Sequence, residues 1–360
     1  MLNLSNGLRR DPGKRMTDTN LLTTITIAVF LVMYIASILI LGEGFRKPQQ
    51  MLNLISTNAY LIILSCGMSL VMITGGIDIS VGGVTALVAM CCAVYLDQGG
   101  GNVFVSMLIA VGIGLAFGVV QGYLIAYLNV QPFIVTLAGM FFARGMTTIV
   151  HTNPFNVENE SFVALKDFRI VLPLLGSYTR KGKYIPATIE IGVIVALLIV
   201  IVLFCVLKWT KLGRNFYAVG GNKQSALMLG INVKRTTFVS YVICGLLAGI
   251  GGYVYFLHVG SGSPSHAMGA EMNAIASSII GGTMLTGGVG NIIGTLFGVL
   301  SLELIKNIVA SVGLDQAWWT GITIAAMLCI FLVVQSVIIA RRKKANASAA
   351  AEKVPKGGVT

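Results

Sequence analysis

The chain has 360 residues, of which 56% are hydrophobic and only 11% charged, and its formal net charge is +12. A water-soluble domain carries about 25% charged residues, so this composition excludes a soluble globular protein: there are too few ionic groups to cover a surface in water, and lipid is the solvent that fits. The positive excess does not point to nucleic acid, because most lysines and arginines sit at the ends of apolar runs, where they set orientation across a membrane.

In chain order, residues 1–20 form a polar arm holding Arg9, Arg10, Lys14 and Arg15. The apolar run 22–42 follows at full spanning length with no small-residue cleavage site after it, so it is expected to stay as an anchor. Further clear spans are 103–128, 187–208, 236–258, 291–312 and 319–340. Weaker ones, short, Gly-interrupted or polar, are 52–74, 84–97, 132–150 and 272–288. Each crossing needs about 20 residues. The fold class expected is therefore all-α integral membrane: a polytopic bundle of about ten transmembrane helices. One transmembrane domain over 21–340 is expected between a cytoplasmic arm 1–20 and a disordered cytoplasmic tail 341–360.

Orientation follows from Lys and Arg. Ten spans place the arm, the segment 208–235 (Lys208, Lys211, Arg214, Lys223, Lys234, Arg235) and the tail from Arg341 onward on the cytoplasmic side, sixteen positive residues in all. Seven lie outside: Arg46, Lys47, and Lys166, Arg169, Arg180, Lys181 and Lys183 of the loop 151–186. A multi-pass protein of the inner membrane with both termini cytoplasmic is expected. The six cysteines (Cys66, Cys91, Cys92, Cys205, Cys244, Cys329) all fall in apolar stretches without a CxxC and read as small buried hydrophobes. A faint internal repeat joins Gly114-x-x-Phe117-Gly118-Val119 to Gly294-x-x-Phe297-Gly298-Val299. It suggests two loosely repeated halves with a substrate path between them.

Two segments carry chemistry. In Met72-Ile-Thr-Gly-Gly-Ile-Asp-Ile-Ser-Val-Gly-Gly83, glycines break the helix and expose backbone amides and carbonyls, and Asp78 is costly in lipid unless paired or wet. The same residues would also make a tight turn with a capping Asp or Ser. In the cytoplasmic segment 209–235, Asn222 can cap a short helix over 223–229 that Gly230 ends. Leu227 and Met228 would then be exposed apolar residues suited to docking a partner. Gly176-Ser-Tyr-Thr-Arg-Lys-Gly-Lys183 is no phosphate-binding loop, because Lys181 stands where the motif needs Gly. This chain therefore carries no phosphate-binding loop of its own, and no cofactor, metal or catalytic residue is expected on it.

Gln224-Ser225-Ala226-x-x-x-Gly230 has the spacing of the coupling loop of ABC importer permeases, with the first two positions substituted. Thr74 to Gly82, Pro132-Phe-Ile-Val-Thr-Leu-Ala-Gly-Met-Phe-Phe-Ala-Arg-Gly145, Ala218-Val-Gly-Gly-Asn222 and Asn273-Ala-Ile-Ala-Ser-Ser-Ile-Ile-Gly-Gly-Thr283 resemble, in that order, the ribose-type sugar permeases. The likeness runs from about residue 25 to 335. Thr136-Leu-Ala-Gly-Met-Phe-Phe142, Gly287-Gly-Val-Gly290 and Trp318-Trp319 make the chain most similar to galactofuranose permease subunits.

The resemblance implies ABC ATPase subunits, a second permease (homologous or identical), a periplasmic or lipid-anchored sugar-binding protein and a monosaccharide substrate. It places ATPase coupling on Gly221, Asn222, Gln224, Ser225, Ala226, Leu227, Met228 and Gly230. Translocation-pathway candidates are Asn58, Gly75, Gly76, Asp78, Ser80, Thr136, Asn273 and Thr283. Glu303 and Lys306, three apart, are expected to pair on one helix face, and Arg144 receives no transport role. A proton- or sodium-driven carrier using Asp78, Glu190 and Glu303, and a branched-chain amino-acid permease of the same fold, are the rival readings. An intramembrane enzyme is disfavoured: no His-Glu-x-x-His occurs, and Ser261, Ser263 and Ser265 lie in a Gly-rich loop.

Overall fold

The computed structural model describes residues 12–41, 43–178, 184–311, 313, 318–319 and 321–333. The tail 341–360 and the first eleven residues lie outside them. The chain begins with α1 (Pro12–Leu41), so helix already runs through the second half of the polar arm. Then come α2 (Glu43–Arg46), α3 (Pro48–Thr57), α4 (Ala59–Ile73), α5 (Val81–Asp97), α6 (Val103–Ala126) and α7 (Pro132–Val150). A mixed segment follows: β1 (Phe155–Asn156), α8 (Glu160–Asp167), β2 (Arg169–Tyr178) and β3 (Tyr184–Glu190). The remainder is α9 (Ile191–Trp209), α10 (Lys211–Gly221), α11 (Lys223–Met228), α12 (Val233–Val259), β4 (Ser261–Gly262), α13 (Ala270–Ile280), α14 (Ile292–Ser311) and α15 (Gly321–Val333).

Among the described residues, six helices are long and apolar enough to cross a membrane: α1, α6, α7, α9, α12 and α14. A seventh results if α3 and α4, bent by 56° at Asn58, count as one span. The remaining predicted segments are shorter. The segment 84–97 is the 17-residue α5, and 272–288 is the 11-residue α13, stopped by the Gly281-Gly282 turn. The last one is described as α15 as far as Val333.

The expectation of an all-α chain needs correcting. The loop 151–186 is not irregular: β2 and β3 form an antiparallel hairpin from Arg169↔Glu190 to Tyr178↔Tyr184, with an irregularity between Leu172 and Gly176. β1 pairs with β4. The reason is local chemistry, since Ile170, Val171, Tyr184, Ile185, Thr188 and Ile189 are β-branched or aromatic residues that favour a pleated ribbon. The Arg169–Glu190 ion pair (3.2 Å) closes its base, and Glu190 also meets His258 of α12 (2.8 Å). Residues 187–190, assigned to a span by sequence, therefore belong to β3.

The centre of the bundle is α4, α5 and α12; every residue of α4 except Tyr60 is buried. α6 and α7 lie outside them and turn large apolar side chains outward, among them Phe104, Val120, Phe133, Phe141 and Phe142. In lipid, attraction between helices comes from close van der Waals contact, which small residues permit. Gly114 and Gly118 of α6 meet Gly245 and Gly249 of α12, and a Cβ added at Gly118 would lie 2.8 Å from the Tyr241 carbonyl. Gly294 and Gly298 of α14 meet Gly281 and Ser277 beside α13 in the same manner. Both copies of the sequence motif thus mark close helix crossings. Glu303 and Lys306 pair at 3.4 Å, as their spacing predicts.

Candidate functional site

The chain leaves α4 at Thr74 and reaches α5 at Val81 through Gly75, Gly76, Ile77, Asp78, Ile79 and Ser80. Gly75 takes a left-handed conformation (φ 85°), where a side chain would be strained. Asp78 is 1% exposed. Its Oδ1 accepts from the Ser80 amide (3.0 Å) and from Ser80 Oγ (2.6 Å). Ser80 Oγ also lies 3.2 Å from Gln121 Oε1. The Ile77 carbonyl accepts from Tyr241 OH (3.3 Å) and Thr136 Oγ1 (3.5 Å). The break is therefore tied to α6, α7 and α12 at once. Hydrogen bonds from neutral groups keep a buried carboxylate tolerable where no cation reaches it.

Beneath this break lies a cavity of about 320 Å³ between the ends of α4, α6, α7, α11 and α12. Gly75, Gly76 and Tyr241 line it, together with Gln131, Lys223 and Lys234. Of the eight pathway candidates, the structure brings together Gly75, Gly76, Asp78, Ser80 and Thr136. The other three lie elsewhere. Thr283 belongs to a second buried cluster, in which Ser69 Oγ lies 2.6 Å from Thr295 Oγ1 and accepts from Thr283 Oγ1 (3.5 Å). Ser278 Oγ donates to the Ser65 carbonyl (3.1 Å) nearby, so this cluster ties α4 to α13 and α14. Asn58 marks the α3–α4 bend and donates to Leu54 O (2.9 Å). Asn273 is half-buried on α13, and its carbonyl accepts from Ser277 Oγ (2.7 Å).

Sequence reasoning missed Gln121, Tyr241 and Ser69, which join these networks, the Gln121 amide nitrogen being buried without a partner among the described residues. Gln121 is the one side-chain amide within the apolar run of α6, a signal that could have been used. Arg144 does not reach for solvent; it donates to the carbonyls of His266 (2.5 Å) and Ala267 (2.8 Å). No group of three or more His, Cys, Asp or Glu that could hold a metal occurs among the described residues.

The coupling candidates form one continuous feature. Thr210 caps α10, accepting from the Gly213 amide (3.2 Å), and α10 is a cytoplasmic-segment helix not foreseen in the sequence. Asn222 breaks it and caps α11 by accepting from the Ser225 amide (2.9 Å). Gly230 (φ 75°) ends the turn, and the Ile231 amide returns to the Ala226 carbonyl (3.0 Å). Gln224 and Ser225 are exposed and Ala226 is buried, while Leu227, Met228 and Leu229 stand 59%, 88% and 76% exposed. Behind α11, Gly220 and Gly221 lie against Gly288, whose amide donates to Ile73 O (2.8 Å). Contacts thus run from α10, which precedes α11, through Gly288 to Ile73, the residue that precedes the 74–80 break.

These features define a polytopic membrane permease with a short projecting helix, α11. Residues 50–332 match the family described as branched-chain amino acid transport system / permease component, and the chain belongs to that family. It is 35% identical to the inner membrane ABC transporter permease protein YjfF of Escherichia coli, over 89% of this chain and 93% of that one. It is 34% identical to the fructose import permease protein FruG of Bifidobacterium longum, over 90% and 93%. Against the ribose import permease protein RbsC of Escherichia coli it is 33% identical, over 85% and 91%. No solved structure matches the chain.

Proposed function

We infer that this chain is the membrane-spanning permease subunit of an ABC importer for a monosaccharide. The family match and the relatives named for fructose and ribose import support the substrate class. Ribose, fructose and, from the motif likeness, galactofuranose are the sugars to test first. The family description speaks of branched-chain amino acids, but the Gly75-Gly-Ile-Asp-Ile-Ser80 break favours sugars by its resemblance to sugar permeases.

In this reading the chain crosses the inner membrane ten times in two related halves. Full spans are joined by the bent α3–α4 pair and by α5, α13 and α15, and both termini are cytoplasmic. It pairs with a second permease, receives sugar from an external binding protein, and is driven by separate ATPase subunits. Gly75, Gly76, Asp78, Ser80 and Thr136 form the cytoplasmic end of the path; Asn58, Asn273 and Thr283 order its walls.

The observation that carries this reading is the exposed Leu227–Leu229 edge of α11, an apolar surface too small to be a core and placed where a partner can push. The tagged chain, solubilised from its host, should co-purify with an ATPase bearing a phosphate-binding loop. Met228→Glu should lose that ATPase, and ATP-driven uptake with it, by about tenfold or more while inserting normally. A chain that purifies alone and keeps taking up sugar after ATP depletion is an ion-coupled carrier instead.

A further inference from the structure

The N-terminal turns of α5 and α13 meet inside the bundle: a Cβ added at Gly82 would lie 3.1 Å from the Glu271 backbone nitrogen. These helices have 17 and 11 residues. First-turn amides have no carbonyl four residues back, and the helix dipole makes both ends electropositive. Glu271, only 9% exposed, lays its carboxylate on Gly82. Its Oε2 is buried and has no hydrogen-bond partner among the described residues. Five residues earlier, His266 Nδ1 is also buried and unpartnered. Arg144 anchors the intervening loop through the His266 and Ala267 carbonyls and attracts Glu271 electrostatically. Native proteins leave few buried polar atoms unsatisfied. Two within six residues, one in the loop and one in the first turn of α13, beside two open helix ends, point to a group that comes and goes.

The charge pattern selects that group. A metal cation is repelled by two helix N-termini and Arg144. An anion is repelled by Glu271. A neutral hydroxyl fits both demands, since it gives its proton to Oε2 and accepts from the free amides of Gly82 or Gly83. Glycine at these positions leaves the amides uncovered, and Ser80, next in line, belongs to the Asp78 network above the cavity. We propose that the Gly82–Glu271 junction is the sugar-recognition point of the membrane path, with Glu271 accepting from a ring hydroxyl of the substrate. This rests on the sugar-importer reading. In the conformation described, Glu271 closes on Gly82; sugar enters as the two first turns part.

Saturation-transfer NMR on the solubilised chain, with D-ribose, D-fructose and D-galactose as probes, tests it. Wild type should bind at least one probe, and Glu271→Gln should bind it about tenfold more weakly, the value of one hydrogen bond to a charged group. Glu271→Asp, which withdraws the oxygen by one methylene, should fall between them and stands as the test if Glu271→Gln fails to insert. Equal binding by wild type and either variant overturns the proposal. So does a wild type that binds none of the three, which would leave water as the occupant. The importer reading fails separately, if the wild-type assembly hydrolyses ATP without moving any sugar.

Discussion

Two breaks interrupt the helices in the heart of this protein, and they are finished differently. In the first, residues 74–80, Asp78 bonds to Ser80 within the break, while Ser80 and the Ile77 carbonyl reach α6, α7 and α12, and the buried Gln121 Nε2 is left without a partner among the described residues. In the second, residues 263–271, Arg144 holds the backbone but Glu271 Oε2 and His266 Nδ1 have no hydrogen-bond partner among the described residues. The first is built to stay in place and the second to exchange partners. A buried carboxylate is thus not one kind of feature: what surrounds it decides whether it supports the structure or waits for a ligand.

The comparison can be broken by mutation. Asp78→Ala should have the largest effect, about 2–3 kcal/mol of stability lost, because the buried Ser80 amide would lose its acceptor and a small cavity would open in an apolar interior. Thermal unfolding in detergent reads this, and an unchanged midpoint would end the claim that the 74–80 break is structural. Gly76→Ala should cost less, about 1–2 kcal/mol. The new Cβ would sit 3.2 Å from Tyr241 Cζ and press on a hydroxyl already committed to Ile77. Gly82→Ala crowds the end of Glu271, which can swing away, and the Glu271 backbone nitrogen at 3.1 Å, which cannot; a loss of about 1 kcal/mol is expected, with sugar binding reduced. Smallest of all is Glu271→Gln. Its Oε2 makes no bond to lose, so stability should change by less than about 0.5 kcal/mol while the NMR signal falls. A large destabilisation there would make Glu271 structural and erase the contrast.

Much of the bundle was legible from apolar run length. The runs 132–150 and 291–312 correspond to Pro132–Val150 and Ile292–Ser311. Run length says nothing about amphipathic or pleated pieces, so α10 and the β2–β3 hairpin were not foreseen. It also overextends where glycine stops a helix, as at Gly281-Gly282. The candidate site was half legible for a related reason. Gly75, Gly76, Asp78 and Ser80 stand out because they are contiguous and polar in an apolar chain. Thr136 joins them only because α7 packs on α5, and Thr283 leaves them only because α13 packs on α4. Gln121, Tyr241 and Glu271 acquire meaning from helix neighbours that no local pattern specifies.

The Leu227–Leu229 edge has a consequence for how much of this protein a cell can keep. If the proposed ATPase subunit covers this edge, a copy made in excess of it leaves three apolar residues bare, the kind of surface that chaperones and proteases survey. Its abundance should then follow the supply of its partner, and surplus copies should be short-lived.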